Sequence, residues 1–155
     1  MRLVAAVLLL AVVGCRASHP APAIDRLEIR MSGRMTAEII LNDRGEGRYR
    51  LGEPFANGRS GAFSLSPQQL AALLRRLRPF QLQSVGEEGA VASLDHVCPR
   101  GVPNVLHAGG AGIRWVGRGY DRFYLADFGC DHERNRARNE ELEAIAKSLP
   151  VPFES

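Results

Sequence analysis

Two short stretches hold the side chains whose types and spacing are best suited to chemistry. Residues 95–98 read Asp-His-Val-Cys, and residues 130–132 read Cys-Asp-His. Two imidazoles and two thiolates form a ligand set that satisfies tetrahedral zinc. The ligands of such a site would be His96, Cys98, Cys130 and His132. The spacing lacks the Cys-x2-Cys arrangement that is typical of zinc sites, so a second interpretation stays open.

The second interpretation is a disulfide bond between Cys98 and Cys130. Disulfides form and persist in oxidising compartments, whereas the thiols of intracellular proteins usually stay reduced. The choice between metal ligands and a disulfide therefore depends on the compartment in which the chain resides, and the first residues of the chain indicate that compartment.

The amino terminus has the layout of a secretory signal. Arg2 provides a positive charge, residues 3–13 form an apolar run of eleven, and the small residue Gly14 precedes Cys15. A charged start, a short apolar segment and a small-residue cleavage site define such a signal. Eleven apolar residues are too few to cross a bilayer, which takes about twenty in a helix. We therefore expect residues 1–14 to be a signal peptide that is removed.

The last four residues of this segment, Val12-Val13-Gly14-Cys15, resemble the lipobox of bacterial lipoproteins. The resemblance implies cleavage before Cys15 and attachment of acyl chains such as palmitate to that residue. It also implies sorting to the outer membrane, facing the periplasm, because the next residue is Arg16 and not aspartate. Two or more acyl chains hold a protein stably on a membrane. An ordinary signal peptide with a chance cysteine is the alternative.

A location in the cell envelope favours the disulfide between Cys98 and Cys130, with the metal site as the alternative. The remaining cysteine, Cys15, is accounted for by the lipid. A disulfide also removes the thiol that a cysteine nucleophile would need. No nucleophile elbow, metalloprotease helix or phosphate-binding loop occurs in the sequence, so we expect no enzymatic activity.

The rest of the chain has the size and composition of one globular domain. Pro20 and Pro22 favour an extended spacer, and seven residues of this kind reach roughly 20 Å. We therefore assign residues 15–23 as a lipidated tether and residues 24–155 as a single domain. The net charge is only +3, and acidic residues are interspersed with the arginines, which argues against a nucleic-acid partner.

Hydrophobic periodicity predicts the strands of this domain. Apolar residues alternate with charged ones at 24–31, as in a half-buried strand. Turn residues at 42–45 predict a hairpin between strands at 35–41 and 47–51. The other predicted strands lie at 62–65, 105–107, 112–117 and 122–128, with the start of a further one near 94–98.

Two helices are predicted from capping residues and from leucine-rich stripes. Ser66, Pro67 and Gln69 form a helix start with a capping box. The stripe of this helix comprises Leu70, Leu73, Leu74 and Leu77. Pro79 is expected to end the helix. A second helix is predicted at 133–149, and its stripe comprises Leu142, Ile145, Ala146 and Leu149.

Two helices with one apolar stripe each require a sheet face to cover. The sequence therefore predicts an α+β fold. In detail, it predicts a two-layer sandwich in which two helices cover a mostly antiparallel meander sheet, with a possible tandem strands-then-helix repeat.

This layout resembles a loosely defined group of small bacterial envelope domains of unknown function. The resemblance is carried by the turn at 43–45, the Ser-Pro-led helix, the cysteine pair and a closing helix that ends at Leu149-Pro150. It implies a fold but no activity. We expect a lipid-anchored, disulfide-stapled binding or structural module with an envelope protein as its partner and no cofactor. The alternatives are a periplasmic zinc or copper protein and an inhibitor of an envelope hydrolase.

Overall fold

The computed structural model describes residues 23–52, 58–89 and 98–153 of the chain. These residues form six strands, two helices of sixteen residues each and a short helical segment at 87–89. The elements are β1 (Arg26–Ser32), β2 (Ala37–Asn42), β3 (Glu46–Leu51), β4 (Arg59–Ser64), α1 (Pro67–Leu82), β5 (Gly110–Gly117), β6 (Tyr120–Asp127) and α2 (His132–Lys147). The fold is α+β, as predicted.

The six strands form one antiparallel sheet in the order β4-β3-β2-β1-β5-β6. The first four strands are a meander, and the chain then passes through α1 to β5, which pairs with the other side of β1. Strand β1 is therefore central. Its predicted alternation is confirmed, because Leu27, Ile29 and Met31 are buried while Arg26 and Arg30 are exposed.

One hydrophobic core contains residues from both the sheet and the helices. The largest fully buried side chains are Trp115 on β5, Ile39 on β2, Leu77 on α1 and Ile145 on α2. The rings of Phe80 on α1 and Tyr124 on β6 pack with their centroids 5.2 Å apart. Burial raises the pKa of the Tyr124 hydroxyl above its ordinary value.

The capping box that begins α1 is confirmed. The Ser66 hydroxyl accepts from the Gln69 amide, and the Gln69 side chain accepts from the Ser66 amide. The predicted end at Pro79 is wrong, because α1 continues to Leu82. Proline loses only one helical hydrogen bond there, and the extra turn buries Phe80 in the core.

The apolar stripes were predicted with one error. On α1, Leu73 and Leu77 are buried, whereas Leu74 is 38% exposed. All four residues of the α2 stripe are buried. The two helices are joined by an ion pair in which Arg76 Nε lies 2.9 Å from Glu141 Oε1.

The strand predicted at 105–107 is wrong. Asn104 forms a single bridge with Cys130, and Val105 donates one backbone hydrogen bond to Gly129. The chain then turns through His107, whose φ of 62° is left-handed and ends any extended run. Val105 and Leu106 are consequently exposed rather than buried in a sheet.

The sheet face opposite the core carries charged residues that pair across strands. Arg30 and Glu38 lie 3.1 Å apart on β1 and β2, and Arg114 binds Asp121 through two hydrogen bonds on β5 and β6. The hydrogen bond from Arg114 lowers the pKa of the Asp121 carboxyl below its ordinary value.

Several predictions concern residues outside the described ranges. They are the signal peptide, the lipidated Cys15, the tether up to residue 22, His96 and the start of a strand near 94–97. In the described part of the chain, no helix is long and apolar enough to cross a membrane.

Candidate binding groove beside the disulfide

Cys98 and Cys130 form a disulfide, as predicted. The bond closes a loop between residues 32 positions apart, with the two Cα atoms separated by 5.2 Å. Cys130 is buried between the end of β6 and the start of α2. The disulfide therefore fixes the chain at residue 98 to the junction of the last strand and the last helix.

The alternative metal site is not assembled in the described residues. The sulfurs of Cys98 and Cys130 are bonded to each other and are not thiolates. The Nδ1 atom of His132 lies 3.2 Å from the carbonyl oxygen of Phe128, which favours the tautomer protonated at Nδ1. No group of three or more His, Cys, Asp or Glu side chains in the described ranges is placed to hold a metal ion.

Backbone hydrogen bonds reinforce the disulfide. Val105 donates to Gly129 at 3.0 Å, and Asp131 donates to Pro103 at 2.8 Å. Gly129 allows this approach, because a Cβ atom there would lie 2.0 Å from the Val105 carbonyl oxygen. Residues 103–105 and 129–131 are thus held side by side.

A cavity of about 620 Å³ lies next to this junction. Its walls are the turn after β1, the segment 105–108 and one side of α2. Apolar lining comes from Met31, Met35, Ala108 and Phe128, and Arg34, Arg136, Glu140 and Glu143 contribute charged groups. A cavity that combines apolar lining with convergent polar groups is suited to binding a ligand or a partner.

Segment 105–108 also lines a second cavity of about 540 Å³. The second cavity is lined by the same segment, by Met31 and by residues of β5 and β6. Val105 and Leu106 are 55% and 76% exposed. These two aliphatic side chains belong to the walls of both cavities. The first cavity together with Val105 and Leu106 is named the groove below.

Buried polar groups hold the floor of the groove. The Asn139 side chain is 5% exposed and donates to the Phe128 carbonyl at 3.1 Å. Arg138 donates to the Asn139 side-chain oxygen at 2.7 Å and to the Asp127 carbonyl at 2.8 Å. Because α2 binds the backbone at 127–128, Phe128 keeps its position independently of a ligand.

The sequence located this region only in part. Cys130 and His132 were picked out for a metal or a disulfide, and His132 does line the groove. Met31 and Met35 were assigned to predicted strands and not to a site. Val105 and Leu106 were interpreted as strand residues, and the sequence carries no signal that marks them as exposed.

Comparison with known proteins finds no family whose model matches the chain and no curated protein with significant sequence similarity.

Proposed function

We propose that the chain is a lipid-anchored binding module of the bacterial cell envelope that takes a protein partner in the groove. The observation that carries this proposal is the exposure of Val105 and Leu106 beside a cavity of about 620 Å³ lined by methionines. Exposed aliphatic patches on soluble domains commonly mark interaction sites. Methionine side chains adapt to irregular apolar partners.

The lipobox Val12–Cys15 supports the anchor and the outer-membrane location. The described chain enters the fold beside the end of β5, where the Asp25 amide donates to the Val116 carbonyl at 2.8 Å. The groove lies at the other end of β1, around Met31 and Ser32. A tether before residue 24 would therefore leave the groove directed away from the lipid.

A two-layer arrangement, with both helices over the core face of the sheet, is part of the same proposal. Helix α1 follows β4 at one edge of the sheet, and its Phe80 packs on Tyr124 of β6 at the other edge. Sixteen residues rise about 24 Å, which equals five interstrand spacings of about 4.8 Å. That match supports a helix that crosses the whole sheet.

The lengths of the two halves bear on the possible tandem repeat. Among the described residues, four strands precede α1 and two lie between α1 and α2. A duplication would therefore require an additional β-hairpin in the first half.

Replacing Cys15 with serine tests the anchor. We expect the variant to be lost from the membrane fraction, or to accumulate as uncleaved precursor, because the acyl chains supply the anchoring free energy. The melting temperature of the folded domain should not change. The measurements are metabolic labelling with palmitate and fractionation of membranes. A Cys15→Ser protein that still labels and still sediments with membranes would contradict the proposal.

Replacing Leu106 with aspartate tests the groove. A charged carboxylate in place of an aliphatic contact should reduce the affinity for the envelope partner at least tenfold, since each 1.4 kcal/mol of lost contact energy is a factor of ten. Leu82→Asp is the matched control, because Leu82 is 70% exposed but lies at the end of α1. The partner is captured from envelope extract with the wild-type protein, identified, and titrated against both variants. Equal affinities of the Leu106→Asp and Leu82→Asp proteins would place binding elsewhere.

A further inference from the structure

Strand β4 forms one edge of the sheet that the described residues build. The opposite edge, β6, is partly covered, because Val85 and Phe123 exchange two backbone hydrogen bonds of 2.8 and 2.7 Å. No residue in 23–52, 58–89 or 98–153 pairs with the outer side of β4. An open strand edge is a template for a further strand.

The register identifies the open backbone groups. Hydrogen-bonded and non-bonded pairs alternate along an antiparallel ladder. The amide of Leu65 donates to the Gly45 carbonyl at 2.8 Å, so the pairs Gly47–Phe63 and Tyr49–Gly61 are also hydrogen-bonded. The amides and carbonyls of the intervening residues point outward. These residues are Ser60, Ala62 and Ser64.

The side chains of the same three residues are short, exposed and on the charged face of the sheet. Ser60 lies opposite Arg50, and Ala62 lies opposite Arg48. Together with Glu38 and with Ile40, which is 41% exposed, these four residues line a depression of about 540 Å³. Because the Ala62 side chain is short, the Arg48 side chain has room to extend over β4.

The depression is lined by two arginines and one glutamate. No carboxylate of the described residues lies within ion-pair distance of Arg48, whereas Glu38 is shared between Arg30 at 3.1 Å and Arg50 at 3.9 Å. A strand added to β4 would lie roughly 10 Å from β3, two interstrand spacings away. An arginine and a glutamate reaching toward each other can bridge that distance, and arginine binds carboxylates through two parallel hydrogen bonds.

We propose that the outer edge of β4 binds an extended polypeptide segment of another protein that carries a carboxylate on the face of Arg48. The backbone of the segment pairs with Ser60, Ala62 and Ser64, and its carboxylate opposite Ala62 binds Arg48. Main-chain hydrogen bonds supply affinity in this kind of strand addition, and the alternate side chains supply specificity. The surface is separate from the groove, so this proposal stands or falls independently of the groove.

The test uses the full chain in detergent micelles and a short capped peptide in which glutamate and valine alternate. We expect binding, and we expect hydrogen exchange to slow at the amides of Ser60, Ala62 and Ser64. The amides of Gly61 and Phe63 already bond to β3 and should not change. Arg48→Gln should weaken binding about five- to tenfold, whereas Arg118→Gln, in the exposed turn after β5, should have no effect.

Two further comparisons distinguish the contribution of main-chain hydrogen bonds to binding from the contribution of charge. Ala62→Pro removes one outward amide without removing an amide that bonds to β3, so it should abolish peptide binding while the melting temperature stays close to that of the wild type. A peptide with glutamine in place of glutamate should bind about as weakly as the original peptide binds to Arg48→Gln. No binding at millimolar peptide, or equal binding of the glutamine peptide, would overturn the proposal. A dimer of the chain that Ala62→Pro dissociates, without peptide binding, would also overturn it.

Discussion

Replacement of Trp115 with alanine is expected to lower the free energy of unfolding by about 3–5 kcal/mol. Trp115 is 1% exposed and lies on β5 opposite Leu27 of the central strand. Removing the indole leaves a cavity beside β1 that the neighbouring side chains cannot fill, because they are held by the sheet. The free energy of unfolding of a domain of this size is only about 5–15 kcal/mol. The variant should therefore be largely unfolded near the melting temperature of the wild-type protein.

Urea unfolding measures the change, and two controls locate its cause. Trp115→Phe keeps an aromatic ring and should cost less than Trp115→Ala. Val105→Ala removes an aliphatic side chain that is 55% exposed and should change the free energy of unfolding by less than about 0.5 kcal/mol. A Trp115→Ala protein within 1 kcal/mol of the wild type would show that β5 does not contribute to the core in this way.

Removal of the disulfide is expected to have the second-largest effect. The double variant Cys98→Ala, Cys130→Ala should lose roughly 3–4 kcal/mol, because a closed loop of this length restricts the unfolded chain. The melting temperature should fall by roughly 10 °C. The backbone at 129–131 would then keep its hydrogen bonds to residues 103–105, to Asp127 and to Asn135.

Calorimetry with and without a reductant provides the measurement. Reduction of the wild-type protein should reproduce the melting temperature of the double variant, and it should not alter the variant itself. Cys15→Ser is the matched control, because this cysteine is not part of the disulfide. If the wild type melted at the same temperature in both conditions, the disulfide would have no role in stability.

The parts of the fold that could be predicted from the sequence are those with local causes. The alternation in β1 identifies its buried face because a strand has a period of two residues. The start of α1 is set by Ser66 and Gln69, which satisfy each other's amides within one turn. The stripe of α2 follows from the helical period, and all of its members are buried.

The errors have tertiary causes. Pro79 does not end α1, because Phe80 one residue later packs on Tyr124 of a distant strand. Residues 105–107 have the composition of a strand, but the disulfide and the Asn104–Cys130 bridge direct them along the junction after β6. Neither Tyr124 nor Cys130 is adjacent in sequence to the residue whose conformation it helps to decide.

The candidate site likewise has features that the sequence predicts and features that depend on the tertiary structure. Cys98 and Cys130 were predicted to pair from the type of residue and the expected compartment alone. The groove could not be predicted, because its walls come from three segments that are far apart in the sequence. The open edge of β4 likewise required the order of the strands, which the pattern of apolar residues does not contain.

The central position of β1 has a mechanical consequence. The chain that precedes it continues from the end of the strand, so a pull on that chain acts along the strand axis. Six residues of β1 pair with β2 and seven pair with β5. The hydrogen bonds of an antiparallel sheet are perpendicular to the strands. A load along β1 must therefore shear two ladders at once, whereas a load on an edge strand would peel one ladder bond by bond. If the proposed tether loads the domain through β1, this geometry favours a domain that stays folded under tension.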